Sequence, residues 1–88
     1  MSDSKKPAAK LNLHPLAAAI WRNENNGATF YSVTFERRYK DEAGNWHSSS
    51  SFNSGDLLLL AKLADQAHSK IVELRANDRN ALPEDQAA

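Results

Sequence analysis

The 88-residue chain predicts an α+β fold, in which an antiparallel β-meander of three to four strands is followed by one long C-terminal amphipathic helix. Three observations lead to this prediction. Residues 30–40 are rich in β-branched and aromatic side chains, which favour strands. The dipeptide Asn26-Gly27 just before them is a strong hairpin signal. Residues 57–74 repeat apolar side chains at the spacing of a helix.

The Asn26-Gly27 turn fixes the register of the first hairpin. A two-residue type I′ turn requires positive φ at both central residues, which Asn and Gly tolerate. Pairing Asn25 with Ala28 then places Ile20 opposite Val33 on an apolar face and leaves the other face polar and open. Upstream of this hairpin, the sequence leaves open whether residues 11–16 form a further edge strand.

Residues 41–45 predict a second turn, and residues 46–52 a third, polar strand. A four-residue loop, residues 42–45, aligns Phe52 with Phe35 on the apolar face. A three-residue loop aligns Phe52 with Thr34 on the polar face. We prefer the four-residue loop because it keeps the apolar face consistent. The open face then carries Ala17, Ala19, Trp21, Phe30, Ser32, Thr34, Glu36, Arg38, Lys40, His47, Ser49, Ser51 and Asn53.

The helix is predicted to begin near Asn53 or Ser54, either of which can cap free backbone N–H groups, with Asp56 placed favourably in the helix dipole. It is predicted to end at Arg75. Residues at i, i+3 and i+4 spacing form one buried stripe that covers the apolar face of the sheet. This predicted stripe consists of Leu57, Leu60, Ala61, Leu63, Ala64, Ala67, Ile71 and Leu74.

The first helical turn is apolar on all sides, because Leu58 and Leu59 lie outside the predicted stripe. One meander and one helix, about 60 ordered residues, also bury little surface for a stable domain. A homodimer that packs helix against helix would explain both the apolar first turn and the small buried surface. We therefore predict a dimer interface formed by Leu57, Leu58, Leu59 and Leu63.

The length allows one domain, predicted at residues 11–75 between two disordered tails. Residues 1–10 form a basic tail, with three Lys against one Asp, and residues 76–88 form an acidic tail, with one Arg against three acidic residues. The chain shows no signal-peptide h-region and no apolar run approaching a membrane span. We therefore expect a cytoplasmic protein without a membrane partner.

The sequence lacks the residue patterns that several kinds of functional site require. The absence of Cys excludes disulfides and thiolate chemistry. His14, His47 and His68 lie in three different elements without a second ligand at metal-binding spacing, so no metal site is predicted. The serines of residues 48–51 lack the flanking glycines of a nucleophile elbow, and the scattered glycines form no phosphate loop. We predict a protein without enzymatic activity or cofactor.

Basic and aromatic side chains concentrate in residues 37–40, Arg-Arg-Tyr-Lys, and across the hairpin in Trp46-His47. One interpretation is an edge hairpin protected by charge. The other is a platform for single-stranded nucleic acid, on which bases stack against Trp21 and Phe30 while Arg38 and Lys40 meet phosphates. Stacking contributes roughly 1–3 kcal/mol per base and accepts any sequence. The net charge of zero therefore excludes only a ligand held by bulk charge.

The order of these elements, the turn over residues 39–44 and the passage from Phe52-Asn53 into a helix resemble the transcriptional coactivator family called positive cofactor four, with its bacterial and phage relatives. The resemblance covers residues 16–74. It implies a homodimer that binds single-stranded DNA on curved sheet surfaces, with the helices at the dimer interface, in transcription, recombination or replication. The residues that match its DNA-facing positions are Trp21, Ser32, Thr34, Arg38, Lys40 and His47.

One departure from that family bears on affinity. Residues 48–51 are all Ser, where the eukaryotic coactivators place Lys, Arg and Gly before the helix. Fewer cations at phosphates lower both the electrostatic affinity and its salt dependence.

The leading functional hypothesis is a homodimeric, sequence-tolerant binder of single-stranded DNA or RNA. The alternative is a dimeric protein-interaction module that uses Leu58, Leu59 or the sheet edge and binds no nucleic acid. The residues predicted to contact nucleic acid are Trp21, Phe30, Ser32, Thr34, Arg37, Arg38, Lys40 and His47.

Overall fold

The computed structural model describes residues 6–80 and confirms the predicted fold class. Four antiparallel strands form one sheet in the order β1-β2-β3-β4, and a helix follows. A short 3₁₀ turn, Ser54–Asp56, leads into that helix. The elements are β1 (Ala9–Leu13), β2 (Leu16–Asn25), β3 (Ala28–Lys40), β4 (Trp46–Ser49) and α1 (Leu57–Asn80).

The segment before the first hairpin is a strand. β1 pairs with β2 from Ala9 opposite Ile20 to Leu13 opposite Leu16. Ala9 and Lys10 thus belong to the sheet, and the domain begins earlier than the predicted boundary at residue 11. The apolar side chains of β1 are half-buried and alternate with the exposed Lys10 and Asn12, as in an antiparallel strand with one face in water. Residues 6–8 of the predicted basic tail precede β1, and the N–H of Ala8 donates to the carbonyl of Ile20 at 2.7 Å. Residues 1–5 of that tail lie outside the described residues.

The register of the first hairpin is as predicted. Asn25 pairs with Ala28 and Ile20 with Val33. At the turn, Asn26 has φ 56° and Gly27 has φ 84°, the positive values that a type I′ turn requires. This turn chemistry sets the register of all ten residues of β2 against β3.

The second hairpin uses the three-residue register, so the prediction of a four-residue loop is wrong. Arg37 lies opposite Ser49, and Lys40 lies opposite Trp46. Because side chains alternate along a strand, this shift moves His47 to the helix side of the sheet and brings Trp46 to the open face. Ser49 moves with His47, and Ser48 moves with Trp46.

The chemistry of the loop explains this register. Oδ1 of Asp41 accepts hydrogen bonds from the backbone N–H groups of Ala43 and Asn45, each at 2.9 Å. Gly44 supplies a positive φ of 89°. The N–H of Asp41 donates to the carbonyl of Asn45 at 2.9 Å, which continues the ladder into the loop. A three-residue loop with glycine in the left-handed conformation is a favoured hairpin connection.

Phe52 nevertheless reaches the apolar side, because the strand ends before it. β4 stops at Ser49, whose Oγ accepts a hydrogen bond from the N–H of Ser51 at 3.0 Å, and the chain leaves the sheet there. Phe52 is half-buried against the core. Ser51 and Asn53, predicted on the open face, follow the end of β4.

α1 extends past its predicted end at Arg75 to Asn80. Residues 76–80, predicted as part of the acidic tail, are helical, and residues 81–88 lie outside the described residues. The hydroxyl of Tyr31 on β3 donates to the carboxylate of Asp78, whose Oδ2 also lies 3.6 Å from Nε of Arg22. These contacts hold the last turns of the helix against the sheet.

At its start, the helix is capped by a carboxylate. The backbone N–H of Asn53 donates to Oδ2 of Asp56 at 2.9 Å, and the N–H of Asp56 donates back to the carbonyl of Asn53 at 2.8 Å. Nε of Arg37 lies 3.7 Å from the same carboxylate. Within residues 6–80, no helix combines the length and the apolar character that crossing a membrane requires.

The core lies between α1 and the first two strands. α1 packs mainly against β1 and β2, and half-buried apolar side chains from β3 and from the segment before α1 complete the cluster. The same side of β4 and of the adjoining end of β3 is less covered, and Tyr39 there is exposed. The buried apolar residues are Leu16, Ala17, Ala18, Ile20, Leu63 and Ala67.

The buried side of α1 differs from the predicted stripe. Leu57, Ala61 and Ala64 are exposed, whereas Leu59, predicted outside the stripe, packs against the core. Leu63 is fully buried inside its own chain. Leu63 therefore cannot form a dimer interface, and Leu59 contributes only its exposed part. The observed buried side of α1 is thus turned toward Leu59 relative to the predicted one. The reason is that α1 covers β1 and β2 and not the whole width of the sheet.

Candidate nucleic-acid interface

The open face is the side of the sheet that points away from α1. Its residues follow from strand alternation and from the three observed registers. Compared with the prediction, it gains residues from β1 and from the turn end of the first hairpin, and it exchanges the residues of β4. It consists of Lys10, Asn12, Ala17, Ala19, Trp21, Asn23, Asn25, Ala28, Phe30, Ser32, Thr34, Glu36, Arg38, Lys40, Trp46 and Ser48.

A groove of ≈ 300 Å³ crosses this face above β2. Ala17 and Ala19 form its floor, because their small side chains lie between longer ones on the neighbouring strands. Lys10 on β1 lines one side, and Arg38 on β3 lines the other. Trp21, two residues further along β2 from Ala19, closes one end. The lining also includes Pro7, Asn12, Ala18, Thr34, Phe35 and Glu36.

Aromatic side chains are distributed along the open face. Nε1 of Trp21 donates a hydrogen bond to Oγ1 of Thr34 at 3.0 Å, which holds the indole in one orientation. Phe30 is 50% exposed and Trp46 is 58% exposed, so both rings present surface to a ligand. An aromatic ring with a solvent-exposed face is the group on which an unpaired base stacks.

The cations of the open face lie close to these aromatics and to one carboxylate. Nζ of Lys40 lies 5.3 Å from the ring centre of Trp46, a cation–π distance. Nε of Arg38 donates to Oε2 of Glu36 at 3.0 Å. Hydrogen bonds from Arg38 and from Ser48, together with the charge of Lys10, hold the pKa of Glu36 below its ordinary value. Glu36 is therefore a carboxylate at neutral pH.

Most of the residues predicted to contact nucleic acid do lie on the open face. They are spread over β2 and β3, where the predicted register is the observed one. These residues are Trp21, Phe30, Ser32, Thr34, Arg38 and Lys40.

Arg37 and His47, which were predicted with them, lie on the opposite side of the sheet. Nε of Arg37 donates to the carbonyl of Ser51 at 3.0 Å, and its guanidinium lies over the ring of Tyr39. The ring of His47 stacks on Tyr39 with centroids 5.3 Å apart, and its Nε2 lies 2.7 Å from Oδ2 of Asp41. This contact with His47, followed by the backbone N–H of Asn45, lowers the pKa of Asp41.

Sequence reasoning missed Trp46 and Lys10. The predicted register of β4 was wrong by one residue, so the prediction placed His47 on the open face where the structure has Trp46. Lys10 was assigned to the tail, although residues 10–13 alternate polar and apolar side chains as a half-buried strand does. That alternation is compatible with an edge strand, but the position of Lys10 beside the groove depends on the pairing of β1 with β2.

Within residues 6–80, no cluster of three or more His, Asp or Glu side chains is arranged to hold a metal ion. The open face offers instead stacking surfaces, a few cations and hydrogen-bonding groups around an alanine floor. Comparison of the chain with protein-family models, with curated proteins and with solved structures gives no match. The geometry of this face is thus the basis for a functional assignment.

Proposed function

We propose that the protein binds single-stranded nucleic acid through the open face, without strong sequence preference and without catalysis. The observation that carries the proposal is the placement of three aromatics and three cations on one side of the sheet, namely Trp21, Phe30 and Trp46 with Lys10, Arg38 and Lys40. The rings of Phe30 and Trp46 are exposed, and that of Trp21 is half-buried. Such a surface binds bases by stacking and phosphates by charge. The resemblance of residues 16–74 to the positive cofactor four family implies the same class of ligand.

A single strand suits this face better than a duplex does. In a duplex the π-faces of the bases are stacked on one another, so exposed rings such as Trp46 and Phe30 would find no partner. Readout of the major groove commonly uses a helix, but α1 mixes the acidic residues Asp65 and Glu73 among its cations. The cytoplasmic location expected from the sequence belongs to the same proposal.

The proposal includes a homodimer in which a second copy covers the exposed apolar side of α1. Leu58 is 85% exposed, Leu57 is 53% exposed and Val72 is 54% exposed. Ala61 lies beside Leu57 and Leu58, one helical turn on, and its small side chain allows close approach of another helix. An isologous contact between two copies of this surface buries it on both chains at once.

Binding is tested with a fluorescently labelled single-stranded oligonucleotide and anisotropy at low salt. We expect the double variant Trp21→Ala, Arg38→Glu to lose binding, because it removes a stacking ring and reverses a charge on the groove wall. The variant Arg75→Glu makes the same change of charge on the exposed surface of α1 and is expected to bind as the unmodified protein does. Unchanged affinity in the double variant would overturn the proposal.

A protein-interaction module without nucleic-acid binding is the second candidate. The observation in its favour is the exposure of Leu57 and Leu58, a surface typical of a contact with another protein. This candidate predicts no change in the intrinsic Trp fluorescence when oligo-dT or oligo-dC is added at low salt. The nucleic-acid proposal predicts quenching that weakens as salt is raised.

A further inference from the structure

The groove of the open face contains a carboxylate, which is unexpected in a surface that meets phosphates. Glu36 is the one acidic side chain among the open-face residues that the structure describes. It pairs across the strands with Ala17, so it lies directly beside the groove floor. Its side chain is 37% exposed. A ligand that fills the groove therefore meets this group.

We infer that Glu36 makes the groove selective for bases that carry an exocyclic amino group, namely cytosine, adenine and guanine, over thymine and uracil. The inference rests on the proposed function and names the class of ligand that the same site prefers.

Charge orients the ligand in the groove. Glu36 repels phosphates from the floor, whereas Lys10 and Arg38 attract them to the two sides. A strand lying across the groove then directs its phosphates to the sides and turns its bases inward. Trp21 at the end of the groove offers a ring on which an inward base stacks.

Hydrogen bonding to Glu36 then discriminates between the types of base. An ionised carboxylate accepts hydrogen bonds and donates none, and it has about four lone-pair positions. Nε of Arg38 donates to Oε2 of Glu36, and a hydrogen bond from Ser48 contributes to the lowered pKa of Glu36, so two of the about four acceptor positions are in use. Cytosine and adenine present an amino group at the position where thymine presents the O4 carbonyl. If thymine takes that position, its O4 carbonyl faces the carboxylate of Glu36, and neither oxygen can donate a hydrogen bond. The single N–H of thymine, at N3, lies between two carbonyl oxygens.

Glu36 also has a simpler role, which is to hold Arg38 in place. In that role, removing its charge frees Arg38 for phosphates and strengthens the binding of every oligonucleotide by the same factor. Base selection changes the ratio of affinities between two bases. The ratio is therefore the quantity that distinguishes the two roles.

The test compares oligo-dC with oligo-dT, each of about 12 nucleotides, a length within the usual site sizes of single-strand binders. Anisotropy titrations at neutral pH and one low salt concentration give both dissociation constants. We expect the unmodified protein to bind oligo-dC about tenfold more tightly, which is near the lower end of what a hydrogen bond to a charged group contributes. In Glu36→Gln the ratio falls to about one, because a side-chain amide both donates and accepts.

Glu42→Gln is the matched control, since Glu42 lies in the loop between β3 and β4 and does not line the groove. It is expected to keep the tenfold ratio. Equal affinities of the unmodified protein for the two oligonucleotides would overturn the inference and leave the proposed function intact. A preference for oligo-dC that persists in Glu36→Gln would also overturn it. Absence of binding to both oligonucleotides would overturn the proposed function and the inference together.

Discussion

At the scale of the residue, Trp46 and His47 show how one step along a strand decides which side chain lies on the open face. Both are aromatic neighbours of a basic cluster, and the sequence gives no reason to prefer one. The loop chemistry of Asp41 and Gly44 sets the register of β4, and that register turns Trp46 toward the open face and His47 toward Tyr39. A side chain's role thus depends here on a turn several residues away.

This difference between neighbours predicts unequal effects of alanine substitution. Trp46→Ala is expected to weaken the binding of a single-stranded oligonucleotide by about 1–3 kcal/mol, the contribution of one stacked base. His47→Ala, on the other side of the sheet, is expected to leave the dissociation constant within about twofold, a change of under 1 kcal/mol. Anisotropy titration of both variants measures the contrast. Equal losses of affinity in the two variants would show that the side of the sheet on which a side chain lies does not determine its contribution to binding.

At the scale of the element, α1 packs against the core with one side and leaves a second apolar side exposed. Leu63 and Ala67 close the core over β2, while Leu57 and Leu58 remain outside it. A helix that is apolar on more than one side usually has more than one packing partner. The last turns depend on a third contact, in which Tyr31 holds Asp78.

The exposed side of α1 predicts how the proposed dimer can be broken without unfolding the chain. Leu58→Glu adds a charge to the proposed contact between two copies and is expected to convert the dimer to a monomer. Since Leu58 is 85% exposed, the core of each chain is expected to stay intact. Light scattering after size exclusion gives the mass, and circular dichroism checks the fold. Glu42→Lys, which changes the charge in the loop between β3 and β4 and away from α1, is the control and is expected to stay dimeric. A monomeric unmodified protein would refute the dimer.

At the scale of the whole molecule, a net charge of zero coexists with an uneven distribution of charge. The open face carries Lys10, Arg38 and Lys40 against Glu36. Arg22 and Arg37, on the other side, are engaged with Asp78 and Asp56. The charge that a ligand would meet is therefore that of one surface, and it cannot be read from the net charge of the chain.

This distribution predicts a shallow dependence of binding on salt. Three cations that meet phosphates of a single strand give a slope of log K against log salt near −2 for each chain. Lys10→Gln is expected to reduce the magnitude of the slope by about 0.7, since one phosphate contact is lost. Titrations between about 50 and about 200 mM salt measure the slope. Lys62→Gln on α1 serves as the control, and a slope that Lys10→Gln leaves unchanged would exclude Lys10 from the interface.

Much of the fold and part of the candidate site could be predicted from the sequence. The Asn26-Gly27 turn and the pattern of β3 were sufficient to place Trp21 and Arg38 on one face, because both signals lie in adjacent residues. Lys10 and Trp46 could not be placed in the same way. Their positions depend on pairings between segments whose local sequences are compatible with more than one arrangement.

The sequence by itself determined the meander, the register of the first hairpin and the presence of a long amphipathic helix. These features follow from local periodicity and from the backbone conformations that Asn26 and Gly27 permit. Only the tertiary structure decided the register of β4, the recruitment of β1 and the side of α1 that faces the core. Each of these is a choice between arrangements of similar local energy, which is settled when distant segments pack together. The groove between Lys10 and Arg38 results from those choices, since no single segment contains it.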